Sequence, residues 1–319
     1  MLFDDLTVVL KVAKFRSITA AATHLNMRTA TASAAVKRVE QSLGAELFVR
    51  TTRSLRLSSA GERFLPTCEQ AMLMLTNAKQ NLKGDTGIIE GELRLGLSSD
   101  LGRNVVAPWL DDFMDEHDKV SVKLNLNDSN IDFYRDPIDL ALRYGSPDDA
   151  SVYGFKICDV PRLLVASPSY IARHGAPENL EDLQLHNGLF YQLHDKVYNE
   201  WELLHKGKPL KIKMQGNRTA NDGEMVRRWA VAGKGVAVKS GLDICDDIIH
   251  GRLLTLLPDY QPKPTQLWLI CPSRQSITPA VRLLRDMLKA RCTECLVRLK
   301  EASVAIADKD KGKGRTNKI

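Results

Sequence analysis

The stretch 17-SITAAATHLNMRTATASAAVKRVEQSLGAELFVRTTRSLRLSSAG-61 decides the fold of the first part of the chain. Ser17 is a favourable N-cap for a short helix through the alanine run to Leu25, and Asn26 suits the left-handed turn that ends it. A second helix follows from about Arg28 to Leu43, and Gly44 ends it. Two short helices joined by a tight turn predict a helix-turn-helix.

The second helix has two functional faces in this prediction. One is apolar and packs on the first helix; it contains Ala32, Val36, Val39 and Leu43. The adjoining face of the first two turns carries small side chains, from Thr29, Ala30, Ser33 and Ala34. A recognition helix presents its base-contacting residues there, in the DNA major groove. The small side chains would let this helix lie close to the DNA.

A basic hairpin is predicted after Gly44. Leu47-Phe48 and Leu55-Arg56-Leu57 are two short strands around Arg50-Thr-Thr-Arg53, whose guanidinium groups would reach phosphates or a narrow minor groove. The complete set of expected DNA contacts is Arg28, Thr29, Ala30, Ser33, Ala34, Lys37, Arg38, Arg50, Arg53 and Arg56. The simpler alternative is an ordinary helical core with a solvated basic face.

The residues of this region resemble the amino-terminal domain of LysR-type transcriptional regulators. The matching pattern is Ser17-x-x-x-Ala21-Ala22-x-x-Leu25, Ser33, Glu40, Leu43-Gly44, Leu47-Phe48, Arg50, Arg53, Leu57 and Ala60-Gly61. Similar signatures of that family's effector-binding domain follow at 139–145, 165–170, 233–237 and 251–254. The resemblance covers about residues 1–300.

One departure from the family bears on DNA recognition. Family members often carry a glutamine and an arginine on the recognition helix, at positions that align with Thr29 and Ala34. Hydroxyl and methyl groups suit thymine methyls and short hydrogen bonds, whereas bidentate guanine contacts need longer donors. We therefore expect weaker direct readout and a T/A-leaning site.

The charge of the chain is concentrated at its two ends. The 319 residues carry a formal net charge of +6, and this length allows two or three folding units. Residues 1–60 contain nine Lys and Arg against four Asp and Glu, and residues 301–319 contain five against three. Phosphate neutralisation by the first segment is consistent with this distribution.

The cysteines and the N-terminal sequence predict a reduced cytoplasmic protein. Six cysteines are scattered without a disulfide framework, and the N-terminus is acidic where an export signal would be basic. No apolar run reaches the ~20 residues that span a membrane. The Cys292-Thr-Glu-Cys295 pair lacks the second ligand pair of a zinc site, so we expect free thiols, with a redox or metal role as the alternative. We expect no cofactor and no metal.

A long helix from Ser58 to about Gly84 is expected to form the dimer contact. Apolar residues recur along it with the spacing of a short coiled-coil seam: Leu65, Cys68, Met72, Leu75 and Leu82. The family resemblance implies that this helix pairs two subunits, through Leu65, Met72, Leu75 and Leu82. A packing helix within one subunit is the alternative. Glycines at 84, 87 and 91 then predict a hinge.

The rest of the chain predicts an α/β domain with a parallel sheet, because short apolar strands alternate with helices. The resemblance implies two lobes like those of a periplasmic binding protein, with a closing helix from Pro279 over the first lobe. The predicted boundaries are a winged helix-turn-helix at 1–60, linker helix and hinge at 61–91, effector domain at 92–300 and disordered basic tail at 301–319. Lobe I spans about 92–163 and 268–300, and lobe II spans about 164–267.

The first strand of this domain ends at Gly96-Leu-Ser-Ser-Asp100, where a small-molecule site is expected. Serine hydroxyls and the N-terminus of the following helix suit a carboxylate, so Ser98 or Ser99 is the favoured effector contact, with a plain N-cap as the alternative. The resemblance suggests further lining from Tyr144, Asn221, Val236 and Ala237. The segment Val236 to Ser240 departs from the family's usual apolar-plus-proline ending.

A ligand-controlled transcription regulator is therefore the predicted function. The sequence shows no nucleophile elbow, P-loop or zinc-ligand motif, so we expect no enzymatic activity. Expected partners are a two-fold symmetric double-stranded DNA site and a small organic effector, for which an anion is one option. Further expected partners are a second copy of the chain, in a homodimer or homotetramer, and RNA polymerase. No membrane is expected. The alternatives are a cysteine-based redox regulator of the same fold and a solute-binding module without a DNA function.

Overall fold

The computed structural model describes residues 3–50, 55–84, 89–129, 133, 138–147, 152–193 and 195–313. The chain divides into two compact units, 1–88 and 89–319. In the first unit the elements are α1 (Phe3–Phe15), α2 (Ile18–His24), α3 (Thr29–Leu43), β1 (Phe48–Arg50), β2 (Leu55–Leu57) and α4 (Ser59–Gly84). Helix α1 is an addition to the elements that the sequence predicted.

The ends of the predicted helices are confirmed. The hydroxyl of Ser17 accepts a hydrogen bond from the backbone N–H of Ala20 at 3.2 Å, which caps α2. Asn26 has φ 51° and Gly44 has φ 63°, so both helices are followed by left-handed residues. The predicted apolar face of α3 lies in the core of the unit, with Ala32, Val36 and Val39 buried against α1 and α2.

The predicted hairpin is present, since β1 pairs with β2 in antiparallel register. The Glu40 carboxylate of α3 accepts hydrogen bonds from the backbone N–H groups of Leu47 and Phe48 at 2.8 and 3.2 Å. Gly61 of α4 lies against the same segment, and a Cβ atom there would be 2.2 Å from the carbonyl oxygen of Leu47. The hairpin is therefore held between α3 and α4 by contacts that need these particular residues.

Gly61→Ala is expected to reduce the free energy of unfolding of the first unit by about 2 kcal/mol, because the backbone of Leu47 must move to admit a methyl group. Urea titration of the full chain, followed by far-ultraviolet circular dichroism, measures this loss. Glu62→Ala at the neighbouring exposed position is the control. Equal stability of the two variants would contradict the close-contact explanation.

In the second unit the strands are β3 (Gly91–Leu97), β4 (Val120–Leu126), β5 (Leu140–Tyr144), β6 (Tyr153–Val160), β7 (Arg162–Ala166), β8 (Leu189–Leu193), β9 (Lys196–Val197), β10 (Glu200–His205), β11 (Lys208–Lys213), β12 (Arg218–Ala220), β13 (Ala237–Ser240), β14 (Leu254–Thr255), β15 (Tyr260–Pro262) and β16 (Thr265–Cys271). The helices are α5 (Ala107–Glu116), α6 (Pro168–His174), α7 (Leu180–Leu185), α8 (Gly223–Val231), α9 (Cys245–Ile249) and α10 (Pro279–Lys313). A π-helical segment, Leu101–Val106, leads into α5, and a 3-10 turn, Arg274–Ser276, precedes α10.

The first lobe is built on a five-stranded sheet of order β4-β3-β5-β16-β6. The prediction of a parallel sheet is only partly correct: β3 is parallel to β4 and β5, but β16 is antiparallel to β5 and β6. The chain leaves this sheet after Val160 and returns to it at Thr265, slightly before the expected residue. Consecutive parallel strands are joined by a crossover connection, which is usually a helix. Strand β16 instead enters the sheet from the other lobe, so it can pair in the antiparallel direction.

The second lobe contains three small sheets, of order β13-β7-β14, β12-β8-β9 and β11-β10-β15. Its core is divided in two: Trp201 and Phe190 belong to one cluster, while Val226 and Ile248 belong to the other. The second lobe thereby places the N-terminus of α8 and the end of β13 where they contact the first lobe through the hydrogen bonds described below.

Helix α10 joins the two lobes, whereas the sequence predicted a helix that covers the first lobe alone. Leu284 and Leu288 lie in the core of the first lobe, and Leu299 lies in the core of the second. The backbone is helical to Lys313, which corrects the expectation of a disordered tail from residue 301. Residues 314–319 lie outside the described part of the chain.

Candidate functional site

The first turns of α3 present an exposed face of short side chains. Thr29, Ala30 and Ala34 are exposed and Ser33 is half-buried, while Arg28 and Lys37 are exposed at the edges of this face. Arg28 occupies the N-cap position with extended backbone. The face therefore combines small groups at its centre with positive charge at its margins, as a helix that enters a groove between phosphates requires.

Arg38, one of the predicted DNA contacts, also pairs with a carboxylate of the first helix. Its guanidinium donates two hydrogen bonds to the Asp5 carboxylate, at 2.9 Å from Nε and 2.5 Å from Nη2, and so joins α3 to α1. The hydrogen bond from Arg38 lowers the pKa of the buried Asp5 carboxyl. Two of the five guanidinium N–H donors are engaged and the side chain is about half exposed, so Arg38 stays a predicted DNA contact while it also links the two helices. No local sequence signal marks a pair that is separated by 33 residues.

Among the hairpin residues that are expected to contact DNA, the structure describes the side chain of Arg56. Arg56 in β2 is exposed. The backbone of Arg50 ends β1, whereas its side chain and all of Arg53 lie outside what the structure describes.

The predicted seam of α4 separates into two parts. Leu65 is buried in the core of the first unit, so it closes that unit and is not part of a free seam. Met72 is buried, while Leu75 is 57% exposed and the adjacent Met74 is 45% exposed. Leu82 lies in the last turn, where only the backbone is described. An apolar surface centred on Leu75 thus remains on the helix.

Ser99 lies between the two lobes of the second unit. Its backbone N–H donates to Asp128 Oδ1 at 2.6 Å, and its hydroxyl lies 2.9 Å from Asp128 Oδ2 and 3.1 Å from Asp222 Oδ1. The same hydroxyl accepts from the backbone N–H of Glu224 at 3.3 Å. Ser99 therefore connects the end of β3 in the first lobe to the start of α8 in the second, which is more than the N-cap that formed the alternative interpretation.

A buried cluster of charges lies beside Ser99. The Lys239 ammonium of β13 pairs with the Asp100 carboxylate and donates to the carbonyl of Gly223 at 3.0 Å. Tyr144 donates to Asp243 Oδ1 at 2.6 Å and accepts from the Ser240 hydroxyl at 2.8 Å. These residues bring both lobes and their connection to one point.

The ionisation of this cluster follows from burial and pairing. Burial alone would raise the pKa of Asp100, but the charge and hydrogen bond of Lys239 outweigh it and the pKa is lowered. Burial and the neighbouring Asp100 charge raise the pKa of Asp243 well above its ordinary value. Burial lowers the pKa of Lys239, yet Asp100 and Asp243 more than compensate. The cluster therefore combines the ion pair of Lys239 and Asp100 with the adjacent Asp243 carboxyl group, whose pKa is raised.

The other predicted effector contacts differ in how deeply they are buried. Ser98 is half-buried, and its hydroxyl has no hydrogen-bond partner within the described residues. Asn221 is exposed. Val236 and Ala237 are fully buried, in the two core clusters of the second lobe, so their side chains serve packing and not the space between the lobes. Lys239 lies at the lobe junction instead, two residues after Ala237 and therefore on the same face of β13, and a charged residue directly after the apolar residues 236–238 was the available signal.

Four of the five cysteines of the second unit lie in two pairs that the sequence did not indicate. The Cys158 thiol of β6 accepts a hydrogen bond from Cys292 of α10, which lowers the pKa of Cys158. The Cys245 thiol of α9 donates to the backbone carbonyl oxygen of Cys295 at 3.3 Å, and the neighbouring Cys295 thiol lowers the pKa of Cys245. Cys292 and Cys295 therefore face different partners and do not act as one ligand pair. Among the described residues, no group of His, Cys, Asp and Glu suits a metal ion.

Comparison with known proteins now identifies the family. A family model described as the LysR substrate binding domain matches residues 87–293, and one described as the bacterial regulatory helix-turn-helix protein of the lysR family matches residues 3–62. The chain belongs to the LysR family of transcriptional regulators. The predicted fold class, a winged helix-turn-helix with a linker helix and a two-lobed α/β effector domain, is confirmed.

Similar proteins cover almost the whole of this LysR-type regulator. It is 30% identical over 288 residues to the HTH-type transcriptional regulator DmlR of Escherichia coli K12, across 90% of this chain and 94% of that protein. It is 29% identical over 284 residues to the HTH-type transcriptional activator AaeR of the same strain, across 89% and 91%. The solved structure of CrgA, a LysR-type regulator from Neisseria meningitidis, matches with a TM-score of 0.59 at 26% identity, across 90% and 98%. No helix among the described residues of the regulator is long and apolar enough to cross a membrane.

Lys239→Met is expected to reduce the free energy of unfolding of the effector domain by about 3 kcal/mol, because it leaves the Asp100 carboxylate buried and uncompensated. Denaturant unfolding of the full chain measures the loss, with Lys234→Met at an exposed lysine as the control. Adding Asp100→Asn to Lys239→Met should recover part of the stability. Additive losses in the double variant would count against direct pairing of the two charges.

Proposed function

We propose that this LysR-type regulator binds a two-fold symmetric DNA site as a homodimer, with α3 in the major groove and the hairpin on the flanking backbone. A small effector bound between the lobes of each subunit changes the relative placement of the two DNA-binding domains. The exposed face of α3, small at its centre and basic at its margins, is the observation that carries the proposal. RNA polymerase is the partner through which such a regulator acts on transcription.

The residues assigned to DNA contact in this proposal differ in role. Thr29, Ala30, Ser33 and Ala34 lie nearest the base edges, where methyl and hydroxyl groups favour A·T pairs. Arg28, Lys37 and Arg56 contact phosphates and set the position of the helix without selecting sequence. Arg50 and Arg53 are assigned to the hairpin from the sequence alone. Arg38 supports α3 through its bonds to Asp5.

Lys37→Ala is expected to weaken DNA binding by a similar factor on all sequences, because a phosphate contact carries no base information. The slope of log affinity against log salt should fall by about one unit, since about one fewer counterion is released. Fluorescence anisotropy with a selected site and a scrambled site, at several salt concentrations, measures both effects.

The matched control is Lys208→Ala, which removes the same charge from an exposed position of the effector domain. This variant should bind like the wild type. An unchanged slope for Lys37→Ala, or equal weakening by both substitutions, would contradict the placement of α3 against the phosphates.

The dimer in this proposal forms through the exposed apolar surface of α4. Leu75→Lys is expected to produce monomers and to weaken DNA binding by at least tenfold, because two linked heads gain affinity from each other. Light scattering with anisotropy tests both. Glu69→Lys, also exposed on α4, is the charge control. A dimer that survives Leu75→Lys would show that another surface joins the subunits.

The effector site in this proposal is the space bounded by Ser98, Ser99 and Tyr144 of the first lobe and Lys239 of the second. Hydrogen bonds and ion pairs from both lobes converge there, so a ligand that changes them changes the lobe arrangement. The buried hydroxyl of Ser98, without a partner in the described residues, provides a polar contact for a ligand. Asn221 lies at the exposed margin.

A second candidate function, cysteine-based response to peroxide, is favoured by the two thiol pairs. A hydroperoxide would oxidise the Cys158 thiolate to a sulfenic acid and leave as an alcohol, and the Cys292 thiol would then form the disulfide and release water. Peptide mapping of the purified protein after hydrogen peroxide treatment should show Cys158–Cys292 or Cys245–Cys295 disulfides. Six thiols that remain fully alkylatable after that treatment would exclude this function.

A further inference from the structure

Asp128, which follows β4, is held by donors from both lobes. Its Oδ1 accepts from the backbone N–H of Ser99 at 2.6 Å, and its Oδ2 accepts from the backbone N–H of Gly223 at 2.6 Å. The hydroxyl of Ser99 is 2.9 Å from Oδ2. Tyr191 of the second lobe also donates to the backbone carbonyl of Asp128 at 3.2 Å. Both carboxylate oxygens are therefore occupied, and the residue is fixed by its backbone as well.

The two backbone donors come from the N-terminal ends of two helical segments on opposite lobes. Ser99 lies just before the helical segment that starts at Leu101 and continues into α5, and Gly223 is the first residue of α8. Free N–H groups and the positive end of the helix dipole make such positions favourable for a carboxylate. Two such ends directed at one carboxylate form a cradle for an anion; we call Ser99 and Gly223 the interlobe cradle.

The sequence predicts the carboxylate of an effector at this strand end on the same physical grounds. In the structure the position contains the protein's own carboxylate. We propose that Asp128 is a built-in substitute for a carboxylate ligand, which fills the interlobe cradle, holds the two lobes together and excludes small carboxylates from this position. This inference rests on the proposed effector site and determines which ligand chemistry that site accepts.

The surrounding charges support exclusion of a second anion. The Asp222 carboxylate lies on the other side of the Ser99 hydroxyl, at 3.1 Å, so that a single proton is available to two carboxylates. Arg103 is 3.7 Å from Asp222 and is partly exposed. The Lys239 ammonium is already paired with Asp100. An incoming carboxylate would have to displace Asp128 and would then lie beside the Asp222 carboxylate.

Removal of the Asp128 side chain should convert the cradle into a site for external carboxylates. The experiment uses full-length Asp128→Ala without DNA, titrated with sodium acetate or sodium formate at constant ionic strength in chloride. The melting temperature of the effector domain should fall by about 5 °C or more in the variant. Acetate should restore it with a saturable dependence, and the melting temperature of the wild type should not change.

Two control variants separate the cradle from general effects of anions. Asp118→Ala removes an exposed carboxylate just before β4 and should behave as the wild type. Asp128→Asn keeps an acceptor oxygen of the same size in the cradle, so its melting temperature should respond to acetate much less than that of Asp128→Ala. If Asp128→Ala does not fold, Asp128→Ser provides the vacant cradle with a polar side chain.

Acetate binding is also measured directly, by line broadening of carbon-13 acetate in the presence of protein. The dissociation constant should be at least tenfold lower for the vacant cradle than for the wild type. Equal acetate binding by wild type and Asp128→Ala, or no binding by either, overturns the proposal. Because the assay contains no DNA, failure of the salt-slope experiment would count against the proposed function and leave this result unaffected.

Discussion

A buried ammonium group at the junction of the two lobes constrains the arrangement of the effector domain. Lys239 is enclosed by protein, so its charge requires a partner, and Asp100 of the opposite lobe provides one. The partner carboxylate in turn favours protonation of the adjacent Asp243, to which Tyr144 donates. Lobe contact, ionisation and side-chain orientation are therefore linked at one point, and a ligand that changes one of them changes the others.

The structure of the DNA-binding domain depends on a different set of contacts. Its hairpin is held by the Glu40 carboxylate and by the close approach of Gly61, and the position of α3 is held by Asp5 and Arg38. These contacts fix the positions of the hairpin and of α3 without taking part in base recognition. They allow the exposed face of α3 to consist of threonine, serine and alanine, which have little ability to hold a helix in place by themselves.

The Asp128 carboxylate and the proposed control by a small molecule are closely connected. In a two-lobed domain a ligand shifts the lobe arrangement only through its preference for one arrangement over the other. When an internal carboxylate already supplies the anion that both helix ends favour, much of this preference belongs to the protein itself. The ligand chemistry that remains must use the neighbouring hydroxyls and the charges around Lys239, and this distinguishes the regulator from one that requires an external carboxylate for closure.

The sequence by itself determined the features that depend on residues close together in the chain. The caps at Ser17 and Gly44, the left-handed Asn26 and the apolar face of α3 each have a local pattern, and the structure contains them all. The resemblance to a family extended this to the two lobes, and the end of β3 drew attention to Ser99, which lies at the lobe junction. Local patterns succeed here because helix periodicity and capping involve residues within a few positions of one another.

Only the tertiary structure decided which polar groups meet across the fold. Asp128 reaches Gly223 over 95 residues, Lys239 reaches Asp100 over 139, and Arg38 reaches Asp5 over 33. The position of Lys239 at the lobe junction, two residues after the buried Ala237, likewise depends on how β13 pairs with β7. The sequence around a polar residue does not identify a partner that is distant in the chain. That partner is determined by the packing of whole lobes and not by spacing along the sequence.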